Sequence, residues 1–194
     1  YPEKTLKQHI DDVKKAANLL VISHSKQLSD GNSDIIQRII DFHDVGKASK
    51  FFQEYIKNPE IYEGDSEKKE HSRLSSLVAC LFFLNKSKSW QDIFTIFQVI
   101  SGHHSNLKTI QEVNEYWSNS QKVDILSEQL DCFLMTDVEK EIALPITTLK
   151  LKKYCWDELV DFLEEIQDRI KKLSLDEAVF FRLNLQFIYS ILLE

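Results

Sequence analysis

The sequence has 194 residues, a length that suits one domain with a sizeable buried core. Hydrophobic residues make up 43% and charged residues 28%, and the net charge of −7 argues against a broad nucleic-acid-binding surface. It does not exclude nucleic acid as a substrate, because bound divalent metals would add positive charge locally. Glycine and proline are scarce, so we predict an all-α fold: a single compact helical bundle with irregular loops, occupying residues 1–194.

Targeting signals are absent from the sequence. No run approaches eighteen apolar residues, so we expect no transmembrane helix and no membrane partner. The N-terminus lacks the order of a signal peptide, and it begins with Tyr1 rather than Met, which indicates a piece excised or trimmed from a longer chain. Cys80, Cys132 and Cys155 form no CxxC pair, so we expect them to fill the core in a reducing cytoplasm.

Hydrophobic spacing predicts a first helix at residues 5–22, with Thr5 as its N-cap. A polar loop around Gly31, at 27–33, precedes a second helix that runs to Asp44, and a third helix follows at 48–57. Residues 58–70 are rich in charge and contain Pro59 and Gly64, which predicts an exposed, mobile loop. Further helices are predicted at 72–84, 90–103, 112–117, 123–134, 156–173 and 176–193, with an irregular or extended excursion at 141–151.

Five of the six histidines stand at helix ends or on inner helix faces, beside a breaker or a loop. His24 is the exception, since it lies in a polar stretch and is predicted to be a surface residue. The five are His9 in the first helix, His43 in HDVGK, His71 after the charged loop, and the pair His103 and His104 after Gly102.

Imidazole and carboxylate ligands together suit manganese, iron, cobalt, nickel and zinc. Asp44 is the natural bridge, because its two oxygens can reach two ions. Two ions about 3.5–4 Å apart could activate a water and stabilise the leaving oxygen of a phosphodiester. Gly46 would allow a tight turn and the approach of substrate, and Lys47 would offer a compact cation to a phosphate oxygen. Asp44 and Lys47 are therefore the candidate catalytic residues.

Each of these residues also has an ordinary structural explanation. A lone histidine such as His9 is more often a satisfied core or surface residue than a ligand. His103 and His104 could cap a helix C-terminus, where imidazolium is favoured, and Lys47 could be solvated. The joint pattern, rather than any single residue, favours a metal site.

Four segments carry a family resemblance: LKQHIDDV, HDVGKASKFFQEYI, EHSRLSS and SGHHSNL. They resemble the HD nuclease domain of the type I CRISPR-associated helicase-nucleases. The pair Phe52 and Gln53 favours this branch of the HD superfamily over the nucleotide phosphohydrolases. The resemblance extends from His9 to the final helix.

The resemblance implies an all-helical, metal-dependent nuclease domain that cuts single-stranded DNA in antiviral defence. Its cofactor would be one or two divalent ions: manganese, nickel, cobalt or iron, with magnesium as a further candidate. Its partners would be a superfamily 2 helicase, fused or separate, and an RNA-guided surveillance complex. The metal ligands that it implies are His9, His43, Asp44, His71, His103 and His104.

Two departures from the family pattern bear on the site. Ser105 follows the histidine pair where the family usually has glycine, so we expect a slightly narrower approach. The family also has an aspartate in an alanine-aspartate pair just after the last helix, and the sequence stops at Glu194, where that pair is expected next. Asp176 lies too early to replace it. We therefore expect either that a ligand lies beyond Glu194 or that the site is completed differently.

Two other functions stay open. The histidine and aspartate set also permits an HD phosphohydrolase that acts on nucleotides or cyclic dinucleotides, which would ignore long DNA. A non-catalytic module that docks a helicase or a surveillance complex is the other alternative, and such a module would have no reason to hold a transition metal.

Overall fold

The computed structural model describes residues 5–23, 30–64, 66–84, 89–134 and 155–193. Within these ranges the chain forms nine α-helices and one 3₁₀ turn, with no strand, which confirms the all-α prediction. None of the helices in this part of the chain is long and apolar enough to cross a bilayer. The elements are α1 (Leu6–Ser23), α2 (Asp30–Phe42), the 3₁₀ turn (Val45–Ala48), α3 (Lys50–Lys57), α4 (Ser72–Leu84), α5 (Trp90–Gly102), α6 (Ile110–Trp117), α7 (Ser120–Leu134), α8 (Cys155–Lys171) and α9 (Leu175–Leu193).

The core is built on α4 and α5, which make the most extensive contact between any two helices in the described ranges. Both helices are buried along most of their length, because apolar residues occur all around them rather than along one stripe. Phe42, at the end of α2, packs against Phe82 and Phe83 with ring centroids 5.1 and 5.4 Å apart. Each fully buried leucine or phenylalanine stabilises the folded state by about 1.5–3 kcal/mol, so the ends of α2 and α4 are held firmly together.

Of the cysteines predicted to fill the core, Cys80 does so and Cys132 is only half-buried. Cys80 lies in the centre of α4 and is fully buried, and this burial raises the pKa of its thiol. Cys132 on α7 is half-buried, and both thiols are free. The side chain of Cys155, the loop at 141–151 and His24 lie outside the described residues.

Several helix starts follow from capping residues. The Thr5 hydroxyl accepts a hydrogen bond from Gln8 N (3.2 Å) and Gln8 Oε1 accepts one from Thr5 N (2.8 Å), so the predicted N-cap is a capping box. Thr109 and Glu112 form a second box, which places the start of α6 at Ile110 rather than at residue 112. Asn119 accepts a bond from Lys122 N and starts α7 three residues before the predicted position.

The region around α2 corrects two predictions. The loop predicted at 27–33 is wrong for residues 30–33, because α2 already begins at Asp30. Glycine costs about 1 kcal/mol in a helix, a penalty that the packing of the apolar face of α2 outweighs. At its other end α2 stops at Phe42, before Asp44, and the backbone turns through Val45–Ala48 in a 3₁₀ turn closed by Lys47 N to Asp44 O (2.9 Å).

The loop at 58–70 is exposed over most of its length, as predicted, but its second half is anchored to α7. Gln129 is 2% exposed, and its Nε2 donates to Lys68 O (2.7 Å) and Glu70 O (2.8 Å). Ion pairs of Lys68 with Glu128 and of Lys122 with Glu67 join the same two segments. This anchoring fixes the backbone that leads directly into His71 and α4.

The Gln129→Leu variant is expected to lose about 1–3 kcal/mol of stability, because two backbone carbonyl groups lose a buried donor. Urea unfolding measures the loss, and limited proteolysis within 58–70 should become faster. Gln111→Leu on α6 is the matched control. Gln111 is exposed, and its Nε2 donates to the side chain of Glu115 rather than to the backbone of the loop. Equal stability of the two variants would show that Gln129 does not anchor the loop.

Candidate metal centre

The Asp44 carboxylate lies at the centre of a group of imidazoles. Asp44 is 1% exposed and occupies the turn between α2 and the 3₁₀ turn. His9 Nε2, from α1, is 2.7 Å from Asp44 Oδ2, and His43 Nε2 is 3.3 Å from the same oxygen. His71 Nε2 and His103 Nε2 are 2.9 and 3.5 Å from Oδ1. Each carboxylate oxygen therefore faces its own pair of ring nitrogens.

His104 joins this cluster through His71. Its Nε2 lies 3.0 Å from His71 Nε2, and its ring centroid lies 4.0 Å from that of His103. All six residues predicted as ligands are thus brought together. They form two groups that share Asp44, each able to hold a metal ion: Asp44 with His71, His103 and His104, and Asp44 with His9 and His43.

Backbone carbonyl groups orient two of these rings. His43 Nδ1 lies 2.9 Å from Ile40 O, and His103 Nδ1 lies 2.6 Å from Ile100 O. A carbonyl oxygen only accepts, so in both rings Nδ1 carries the proton, and Nε2, the nitrogen nearer Asp44, is the atom left to bind a metal ion. This is the tautomer that a metal-binding histidine requires.

The donor set fits a divalent cation. Asp44 Oδ1 and His103 Nε2 are buried and have no hydrogen-bond partner among the described residues, although they lie near each other. A buried polar atom without a partner costs about 1–3 kcal/mol, a cost that a cation between such atoms would remove. Imidazole nitrogens with one carboxylate are a donor set that suits divalent transition metals.

Lys47 lies beside the cluster, and its contact with a substrate phosphate stays a prediction. Its Nζ donates to Asp44 Oδ2 at 2.7 Å, and its side chain is 23% exposed. The Phe52 and Gln53 pair supports this turn: Gln53 Nε2 donates to Lys47 O (2.7 Å), and the Phe52 ring lies 4.8 Å from the His71 ring. The sequence marked this pair as a family signature, and the structure gives it a positioning role.

Gly46 also allows a close contact with α4 that the sequence did not predict, and its role in the approach of substrate stays a prediction. It is buried against the start of α4, where a Cβ atom would lie 2.4 Å from His71 O and 2.9 Å from Ser75 Oγ. Gly46 N donates to Ser75 Oγ at 2.8 Å, a contact that sequence reasoning missed. Three of the first five residues of α4 are serines, so Ser75 gives little signal by itself, although it lies within the EHSRLSS segment.

Tyr189 on α9 is a second residue that sequence reasoning missed. Its hydroxyl lies 3.0 Å from Gly102 O and 2.5 Å from Ser105 O, and it donates to this turn. The turn carries His103 and His104, so α9 helps to fix the position of both rings. Ser105 itself is exposed, and the expected narrowing of the approach by its side chain stays a prediction.

Burial shifts the ionisation of the cluster. Burial of Asp44 by itself raises the pKa of the carboxyl group, but His103, His43 and His71 together lower it more, so the net pKa lies well below its usual range. Burial lowers the pKa of His71 and His9 below 6.5 despite the opposing charge of Asp44. For His104, burial and the neighbouring His103 and His71 lower the pKa to about 4. The metal-free cluster is therefore expected to hold an ionised carboxylate beside neutral rings of His9, His71 and His104 at pH 7.

Histidine titration in the metal-free protein is expected to follow these shifts. Proton–carbon NMR should show His104 titrating at about pH 4, and His71 and His9 titrating below 6.5. Because these folded-state pKa values lie below the unfolded value of 6.5, the unfolded state binds protons first, and stability should fall as the pH drops below 6.5. Titration of His71 above 6.5 would contradict the arrangement.

Comparison with known proteins agrees with this geometry. No curated protein and no solved structure matches the chain significantly. The family profile described as "Cas3, HD domain" matches residues 3–179, a stretch that contains all six residues of the cluster and reaches into α9. This match confirms the resemblance found in the sequence and implies a nuclease of CRISPR defence. The chain belongs to the family of Cas3 HD domains, the HD nuclease domains of type I CRISPR systems.

Proposed function

We propose that this domain is a metal-dependent nuclease that hydrolyses phosphodiester bonds of single-stranded DNA during CRISPR interference. The observation that carries the proposal is the Asp44 carboxylate, whose two oxygens face separate groups of imidazoles. His9 and His43 would hold one divalent ion with Oδ2. His71, His103 and His104 would hold another with Oδ1.

The residues of the chain prepare this centre for phosphate chemistry. Bound divalent cations would supply Lewis-acid activation of water and of the scissile phosphate. Asp44 stays ionised and joins the two groups, and the carbonyl groups of Ile40 and Ile100 hold two rings in the required tautomer. His9 is 43% exposed and His104 is exposed, whereas His43, His71 and His103 are nearly buried, so substrate would approach on the side of His9 and His104.

A row of aromatic rings supports a single-stranded polymer as the substrate. Tyr55 and Tyr62 are partly exposed, with ring centroids 5.7 Å apart, and the row continues inward from Tyr55 through the buried rings of Phe52 and His71 at 6.2 and 4.8 Å. Lys69 Nζ lies 4.1 Å from the centre of the Tyr55 ring. Bases of single strands stack on aromatic side chains, and cations beside them attract the backbone. Tyr55 and Tyr62 would therefore extend the contact beyond the nucleotide at the metal centre.

The donor atoms also support a choice of metal and of partners. Nitrogen donors outnumber oxygen donors in both groups, which favours manganese, nickel, cobalt or iron over magnesium, an ion that prefers oxygen. Family membership implies association with the Cas3 helicase and a CRISPR complex. We propose that a superfamily 2 helicase, fused or separate, delivers the unwound strand, and that an RNA-guided surveillance complex recruits both.

Cleavage of circular single-stranded DNA tests the proposed function. Chelator-treated protein would be supplied with manganese, nickel, cobalt or magnesium, and the same preparations would be offered deoxynucleotides and cyclic dinucleotides. Metal-dependent nicking of the circle supports the proposal. Turnover of nucleotides without nicking would favour a phosphohydrolase, and a folded protein that binds no metal and cuts nothing would favour a docking module.

A further inference from the structure

The two oxygens of Asp44 differ in what already contacts them. On one side, Lys47 Nζ donates to Oδ2 at 2.7 Å, and His9 Nε2 lies 2.7 Å from that same oxygen. On the other side, Oδ1 has no hydrogen-bond partner among the described residues, and His71 and His103 present their ring nitrogens to it. A cation of the protein therefore lies on one side of the carboxylate, and none of the described residues supplies one to the other side.

We propose that the Lys47 ammonium group holds the place of a cation on the His9 and His43 side, so that a second metal ion must displace it. The inference rests on the metal binding of the proposed function and adds an order of loading to it. The group of Asp44, His71, His103 and His104 would fill first, because it offers four donors and the ammonium group of Lys47 is bonded to the other oxygen of Asp44. The His9 and His43 group offers three donors that include an oxygen already bonded to Lys47.

Charge repulsion is the physical reason for this order. An ammonium group and a divalent ion on the same oxygen would stand only a few ångströms apart, where like charges repel strongly at the effective dielectric of a protein site. Lys47 can leave without disturbing the fold. Its backbone is fixed by Gln53 and by the 3₁₀ turn, whereas its flexible side chain already reaches solvent. The displaced ammonium group would then be free beside the site to contact a substrate phosphate.

Manganese titration of the metal-free protein, comprising residues 1–194, tests the inference. Binding would be followed by isothermal titration calorimetry, bound metal by mass spectrometry, and the proximity of two ions by the exchange-coupled signal in electron paramagnetic resonance. The wild-type protein should bind one ion tightly and a second more weakly. Lys47→Met should tighten the second step by about tenfold or more and show the coupled signal at lower manganese concentration.

Lys50→Met is the matched control, because Lys50 lies one turn further along, is 66% exposed and pairs with Glu54. It should bind manganese as the wild type does. Lys47→Gln, which keeps a polar side chain, replaces Lys47→Met if thermal unfolding shows that the methionine variant is not folded. An unchanged second step in a folded Lys47 variant that still binds the first ion would overturn this inference alone, as would two equal steps in the wild type. Absence of any bound ion in every protein would overturn the proposed function as well.

Discussion

Replacement of Asp44 by alanine is expected to lower metal-dependent cleavage of DNA by about a thousandfold or more, because metal ions supply several kcal/mol of transition-state stabilisation. Asp44 is the residue that both groups of donors share, so its loss removes an oxygen ligand from each. The fold should survive, since the core lies on α4 and α5 and the ammonium group of Lys47 can turn to solvent. Nicking rates and the manganese content of the purified variant measure the two effects.

Asp34→Ala is the matched control for this experiment. Asp34 lies on α2 like the residues that lead to Asp44, but it is on the surface, where it forms an ion pair with Arg38. This variant should retain both metal and cleavage, because surface ion pairs contribute at most about 1 kcal/mol to stability. Unchanged nicking by a folded Asp44→Ala protein would remove Asp44 from the centre of the mechanism.

Replacement of Gly46 by alanine is expected to cost about 3 kcal/mol of unfolding free energy, or more, because overpacked sites of this kind strain the backbone. The new Cβ would lie 2.4 Å from His71 O, and a backbone carbonyl group cannot swing aside as a long side chain can. The turn would have to move away from α4 and break the bond from Gly46 N to Ser75 Oγ. Urea unfolding of the metal-free protein measures the loss, and the shift of His71 relative to Asp44 should also weaken metal binding.

Gly102→Ala provides the comparison within the same protein. A Cβ atom there would meet Leu107 and Tyr189 at 3.5 and 3.6 Å, which is ordinary van der Waals contact. Stability should therefore change by less than about 1 kcal/mol, since alanine also favours the helix end of α5. Similar losses in the two variants would show that the close approach of Gly46 to α4 does not control stability.

The elements of the fold were largely readable from the sequence, because apolar periodicity and capping residues are local signals. The capping box of Thr5 and Gln8 and the range of α4 illustrate this. The start of α2 was not readable in the same way. Gly31 by itself favours a loop. The packing of α2, which includes Gly31, outweighs that local preference.

The members of the site were predictable, but their arrangement was not. HDVGK, the isolated His71 and the paired His103 and His104 marked the donors, because such residue types seldom cluster at helix ends without a role. No local signal shows which oxygen of Asp44 each ring faces. The residues that hold the site in place are also far apart in the sequence. Gly46 and Ser75 are 29 positions apart and Gly102 and Tyr189 are 87 apart, and contacts of this kind depend on tertiary packing.

Anomalous diffraction from crystals grown with manganese tests the central claim most directly, because it locates the ions without relying on activity. The account predicts a peak within bonding distance of Asp44 Oδ1 and the ring nitrogens of His71, His103 and His104. At higher manganese concentration a second peak should lie between Asp44 Oδ2, His9 and His43, with Lys47 Nζ moved off the carboxylate. A folded protein whose cluster shows no peak under these conditions, or whose ions lie elsewhere, would contradict it.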